Sequence, residues 1–215
     1  MIGVWTNQNP IQAGLFTQAD QQVNAREIYG YFQAQGWTLY AVSGLLGNMQ
    51  AESYINPGQW QLGHAIEDPR PANDTGFGLV QWTPWQKYVN SSPYFGDWEA
   101  GANWRYNYPR QLDRIQYELE YDVLHPDGGQ WIRHSYQGYY YSFRQYSRLT
   151  AYLPEEMAAL FFVSYERGTW SAERGTYARN WYTYLNEVGP LPPPVPVVGH
   201  LPIWLLFKLK ERYYK

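Results

Sequence analysis

A chain of 215 residues is long enough to bury a full hydrophobic core, as one domain or as one domain with appendages. Its charges nearly balance, with 16 Lys+Arg against 19 Asp+Glu and a net −3, so no basic footprint for nucleic acid is expected. There is no cysteine, hence no disulfide framework or thiolate site, and the 4 histidines lack zinc-binding spacing, so neither metal nor cofactor is expected.

Residues 1–19 are polar and without periodicity, and Met1 to Asn7 show neither a basic leader nor a long apolar run, so no secretory signal is expected. Asp20 is a good N-cap, and Val23, Ile28, Tyr31 and Phe32 then recur at helical spacing until Gly36 ends the run. Thr38 can cap a second helix carrying Leu39, Val42, Leu45, Leu46 and Met49, closed by the turn Asn56-Pro57-Gly58. Residues 57–75 read as a loop. Phe77 to Trp82 reads as a short strand, half of a small hairpin, broken by Thr83-Pro84-Trp85.

Pro109 suits the first turn of a helix bearing Leu112, Ile115, Leu119 and Val123, and residues 126–148 are polar and aromatic. Pro154-Glu155-Glu156 opens another helix with acids at its positive end, packs Met157, Leu160, Phe161 and Ser164 on one face, and stops at Gly168. A last helix over roughly 172–187 turns Tyr177, Trp181, Tyr184 and Leu185 inward and ends at Gly189-Pro190. The fold class expected is mainly α with a small β-hairpin, about five helices in all.

Residues 189–196 should form an extended polyproline spacer. The segment 197–215 that follows holds a short apolar cluster at Ile203 to Phe207 and then a basic, tyrosine-containing end. No run approaches the ~18 apolar residues needed to span a membrane. The segment reads as a docking peptide for a partner or parent assembly, a strap on the domain, or an interfacial segment. Aromatic residues make up 19% of the chain, more than the charged 16%, which favours a large contacting surface even though most rings should fill the core.

The chemistry concentrates at Glu52. On a helix of about 100° per residue it falls about 20° from Leu45 and about 40° from Asn48, on the shoulder of the apolar stripe. Partial burial there should raise its pKa and hold it protonated near neutral pH, as a general acid for a glycosidic oxygen requires. The competing reading is an ordinary last-turn acid, mildly disfavoured by the helix dipole. Glycoside hydrolysis normally needs a second carboxylate. Asp74 leads, with Glu67 and Asp68 in the same loop, although Asn73-Asp74-Thr75-Gly76 equally suits an Asx turn and Thr75 is an alternative holder of a water. Gly78 permits close backbone approach to a sugar, and Gln81 offers it both a donor and an acceptor. Trp60, Trp82, Trp85 and Tyr88 are either cleft-wall or core rings. Glu166 and Arg167 read as a structural ion pair, with a role orienting the loop near Glu52 as the alternative.

The runs LLGNMQAESYINPGQWQ, GFGLVQWT and ALFFVSYERGTW, with Arg179-Asn180-Trp181 beyond, resemble the phage tail lysozyme family over roughly residues 20–188. The resemblance implies a lysozyme-like domain at 20–188 and a muramidase that cuts the β-1,4 bond between N-acetylmuramic acid and N-acetylglucosamine in peptidoglycan. By the same resemblance Glu52 matches the catalytic glutamate and Gln81 a strand residue of the cleft. The family often has proline after the Glu-Arg pair, where this chain has Gly168. A virion-associated or lysis-released lysin is implied, with other tail proteins as partners of the C-terminal segment. A lytic transglycosylase needs only Glu52 and an internal hydroxyl, and a structural tail protein with a glycan-binding lysozyme fold is the non-enzymatic alternative.

Overall fold

A computed structural model describes residues 16–61, 75–84, 108–124 and 130–190. The described chain is mostly helical: α1 (Gln18–Ala34), α2 (Leu39–Ser53), α3 (Tyr108–Leu124), α4 (Phe143–Arg148), α5 (Pro154–Phe161) and α6 (Ala172–Val188). A single π-helical turn, Phe162–Glu166, continues α5. The spacer and docking segment expected beyond residue 190 lie outside the described residues, as do Asp74, Glu67, Asp68, Trp85 and Tyr88.

Local chemistry accounts for most of these boundaries. Helix α1 starts earlier than expected, because Thr17 rather than Asp20 is its N-cap. Thr17 Oγ1 accepts from the Asp20 amide at 3.2 Å while the Asp20 carboxylate accepts from the Thr17 amide at 2.8 Å, a reciprocal capping box. Thr38 caps α2 as expected, accepting from the Ala41 amide at 3.1 Å. Ser171 caps α6, and Gly189, with φ of 70°, ends it.

The hairpin lies elsewhere than expected. Its strands, β1 (Ser135–Tyr136) and β2 (Tyr139–Tyr140), pair antiparallel around Gln137 and Gly138, both at positive φ. Phe77 to Trp82 instead forms a tight loop in which Phe77 bridges both Trp60 and Trp82, and so replaces the expected strand. Helix α4, capped by Ser142 with Gln145 closing the box, was not expected either.

Helix α2 is the axis of the core. Ala41, Val42, Leu45, Leu46 and Met49 are all fully buried, and α5 and α6 pack along its flanks. Gly44 and Gly47 make this approach possible. A Cβ on Gly47 would stand 2.4 Å from the Arg174 carbonyl, and one on Gly44 would stand 2.7 Å from the Met157 backbone. Gly47→Ala therefore forces α6 away from α2. It should cost about 1–3 kcal/mol and lower the thermal midpoint by several degrees in a melting scan. An unchanged midpoint would show that α6 is not held this closely.

Beneath α2 lies an aromatic floor. Trp131 stacks on Phe143 at 4.6 Å, and Phe161 stacks on Tyr165 at 4.7 Å. Much of the aromatic excess is thus core, while Tyr139 and Tyr140 stand out into solvent at 63% and 66% exposure.

Candidate active site

The C-terminal end of α2, the loop from Tyr54 to Gln61, the turn from Val80 to Thr83 and the π turn surround an open cavity of about 520 Å³. Glu52, Trp60, Gln81, Trp82 and Glu166 are among its lining residues. Tyr54 leaves the helix in the left-handed region, with φ of 56°, and Ile55 follows with φ of 60°. This doubled left-handed exit turns the chain back under Glu52. It is tied down by Asn24, whose Nδ2 donates to the Ile55 carbonyl at 2.9 Å.

Glu52 is partly buried, its side chain 23% exposed, and it forms an ion pair with Arg174 of α6. Arg174 is 9% exposed; both terminal guanidinium nitrogens are engaged, while its Nε is buried without a hydrogen-bond partner. Its second guanidinium nitrogen donates to Asn48 Oδ1 at 3.1 Å, and the guanidinium stands 4.8 Å from the centre of the Phe162 ring. Asn48 is held in turn, with Nδ2 donating to the Gly44 and Ala158 carbonyls at 2.9 and 3.0 Å. A chain of polar contacts thus runs from α5 through Asn48 and Arg174 to Glu52. The helical geometry that places Glu52 on an apolar shoulder holds, but the cation opposite it was not foreseen.

The turn at residues 77–82 is built from within. Gln111 of α3 accepts from the Leu79 amide at 2.9 Å and donates to the Pro57 carbonyl at 2.7 Å. Gly78, with φ of +83°, makes room for that amide, since a Cβ there would meet Gln111 Oε1 at 2.6 Å. Gly78 is not among the lining residues, and the space beside it belongs to Gln111. Gln81 does line the cavity. Its Nε2 is spent on the Gln59 and Gly78 carbonyls at 3.0 and 2.9 Å. Thr75 is fully buried.

Trp60 and Trp82 are core residues with an edge on the cavity. They are 7% and 2% exposed, and the Trp82 indole N–H donates to the Tyr165 hydroxyl at 3.1 Å. Tyr165 donates to Glu118, which also pairs with Arg114 at 2.6 Å, so a buried polar relay backs the cavity.

Glu166 and Arg167 do not pair as expected. The π turn ends with Arg167 in the left-handed region and exposed, whereas Glu166 faces the cavity with Oε1 enclosed and without a hydrogen-bond partner. Burial pushes the Glu166 carboxyl well above its ordinary range. Glu52 adds to the rise, Arg174 opposes it, and Glu118 adds a smaller push. Among the described residues, no group of acids and histidines is arranged to hold a metal ion.

The sequence model of the phage tail lysozyme family matches residues 23–185. The chain belongs to that family. It is also 36% identical over 172 residues to Morphogenesis protein 1 of Bacillus phage B103, an alignment covering 79% of this chain and 41% of that relative. The chain thus spans less than half the length of this relative. The phage tail lysozyme match takes in α2, the π turn and Arg174, and so every described residue that lines the cavity. None of the helices described is long and apolar enough to cross a membrane.

Proposed function

We propose that this phage tail lysozyme homologue is a muramidase that hydrolyses the β-1,4 bond between N-acetylmuramic acid and N-acetylglucosamine in peptidoglycan. Glu52 protonates the leaving oxygen, and a loop carboxylate, Asp74 foremost, activates water or stabilises the oxocarbenium-like transition state. Trp60, Trp82 and Gln81, with Trp85 beyond them in the chain, form the sugar-binding wall, and Gly78 serves it by shaping the turn that carries Gln81. The observation that carries this reading is the position of Glu52, a partly buried carboxyl at the mouth of a cavity wide enough for a sugar ring.

Purified chain is incubated with insoluble peptidoglycan, turbidity is followed, and the new ends are analysed. Falling turbidity with new reducing N-acetylmuramic acid ends is the expected result. Anhydro-muramic ends would move the assignment to a lytic transglycosylase, in which an internal hydroxyl replaces water.

A second reading draws on the relative's name, Morphogenesis protein 1. In it the fold binds glycan as a structural part of a virion and cuts nothing. Binding to peptidoglycan with no new ends of either kind selects it. In both readings residues 197–215 dock the chain onto other tail proteins, placing it in the virion or among lysis-released products.

A further inference from the structure

Most hydrogen-bond donors on the cavity wall are already committed inside the protein. The side-chain amides of Gln59, Gln81 and Gln130 donate to backbone carbonyls, as does the Thr83 hydroxyl. The Trp82 indole donates to Tyr165, and Tyr165 in turn to Glu118. Arg167 differs from all of these. It is exposed, and among the described residues it is the only cation that lines the cavity. Its guanidinium makes no hydrogen bond or ion pair with any of those residues. The lining acids leave it open, since Glu52 pairs with Arg174 and Glu166 has no ion pair among the described residues.

The backbone fixes where this side chain leaves the chain. Arg167 closes the π turn at φ of 58° and ψ of 32°, a region where glycine is the ordinary occupant. Its amide is tied to the Phe162 carbonyl at 2.8 Å. The neighbouring Gly168 could take such a conformation freely and does not.

We propose that Arg167 forms a carboxylate-binding subsite of the cavity, which takes an acidic group carried on the lactyl ether of N-acetylmuramic acid. The proposal rests on the muramidase reading and deepens it. In that reading the bond cut belongs to a muramic ring, so its lactyl arm enters the cavity that Glu52 and Arg167 both line. In intact wall the lactyl carboxyl is amide-linked to a peptide stem with free carboxylates of its own. Where the stem has been removed, the lactyl carboxylate itself is free. A guanidinium presents a planar fork of donors that matches either carboxylate. Arg167 thereby separates the wall polymer from a neutral polymer of N-acetylglucosamine.

The test is an NMR titration of the wild type and Arg167→Gln with short glycans. The probe is the disaccharide N-acetylglucosaminyl-N-acetylmuramic acid, whose internal bond is not the one a muramidase cuts, so binding is read without turnover. It is used with its peptide stem, without the stem, and as the methyl ester of each form. The N-acetylglucosamine disaccharide is the neutral control. The wild type should bind an acid form about three- to tenfold more tightly than its ester, as one partly exposed charged hydrogen-bonded pair allows. Raised salt should shrink that preference. Arg167→Gln should lose it while binding the esters and the neutral disaccharide as the wild type does. Arg167→Lys keeps the charge without the fork and should recover part of it. A preference confined to the stem-bearing form assigns the stem carboxylates, and one seen without the stem assigns the lactyl group.

An acid form that binds no better than its ester, or does not bind, would overturn the proposal. So would an Arg167→Gln protein that melts lower yet keeps the preference, since Arg167 would then be structural. If the preference depends on Arg167 but peptidoglycan yields no new reducing ends, the subsite stands and the muramidase reading falls. If the wild type cuts and shows no preference for charge, the reverse holds.

Discussion

Replacing Glu52 with glutamine is expected to reduce peptidoglycan clearing by about 10²- to 10⁴-fold, the usual contribution of a positioned general acid. In free-energy terms that is roughly 3–5.5 kcal/mol of transition-state stabilisation. Glutamine has the size and shape of glutamate and can still accept a hydrogen bond from Arg174, so the end of α2 keeps its geometry. It cannot deliver a proton to a glycosidic oxygen. A circular-dichroism melt close to that of the wild type, together with lost release of reducing ends, is the predicted pair of results. Equal clearing by both proteins would remove Glu52 from the chemistry and leave its ion pair as a structural feature.

Removing the cation should have the largest effect on stability. Arg174→Ala strips the charge partner from Glu52, the donor from Asn48 Oδ1 and the group stacked over Phe162. Breaking a buried pair from one side leaves the other charge uncompensated. Allowing for the partial exposure of Glu52, the loss should be about 2–4 kcal/mol. A urea titration should show a lower midpoint with an unchanged slope. Arg174→Met keeps much of the volume over Phe162 and should recover part of the loss. The same substitution in a Glu52→Gln background should cost less than in the wild type, because the charge it abandons is no longer there. Additive losses would mean that Arg174 stabilises the domain through packing alone.

These two residues also mark how far the site was legible in the sequence. Glu52 was found because helical periodicity is local. Five apolar residues at steps of three and four define a stripe, and the angle of the acid to that stripe follows. Arg174 lies 122 positions further along, on a helix whose own pattern gives no hint of a partner so distant. Only the close approach of α2 to α6 makes them neighbours. Gly44 and Gly47 were a usable sign of that approach, since two small residues on one face of a core helix leave room for another backbone.

The missed elements had local signals of their own. Ser142 and Gln145 form a capping box that announces α4, and Gln137-Gly138 between tyrosines is a hairpin turn. Both were masked by a stretch that reads as merely polar and aromatic. The segment 77–82 reads as a short strand in the sequence, with Thr83-Pro84-Trp85 as its break. Its true form is set by the Gln111 amide, which reaches it from 32 residues away.

The π turn was invisible for a different reason. Phe161, Phe162, Ser164 and Tyr165 are all buried, and such a run suits an α-helix and a wider turn equally well. An i→i+5 turn takes up one residue more than a regular turn, and one residue is about 100° around a helix axis. The direction in which Glu166 points therefore depends on the length of this stretch, and not only on its composition. Deleting one residue between Phe162 and Tyr165 would leave a more regular helix and swing the carboxyl off the cavity wall. The wider turn is thus a frame setting: an insertion or deletion here re-aims an acid, where elsewhere in the helix it would only shift a boundary.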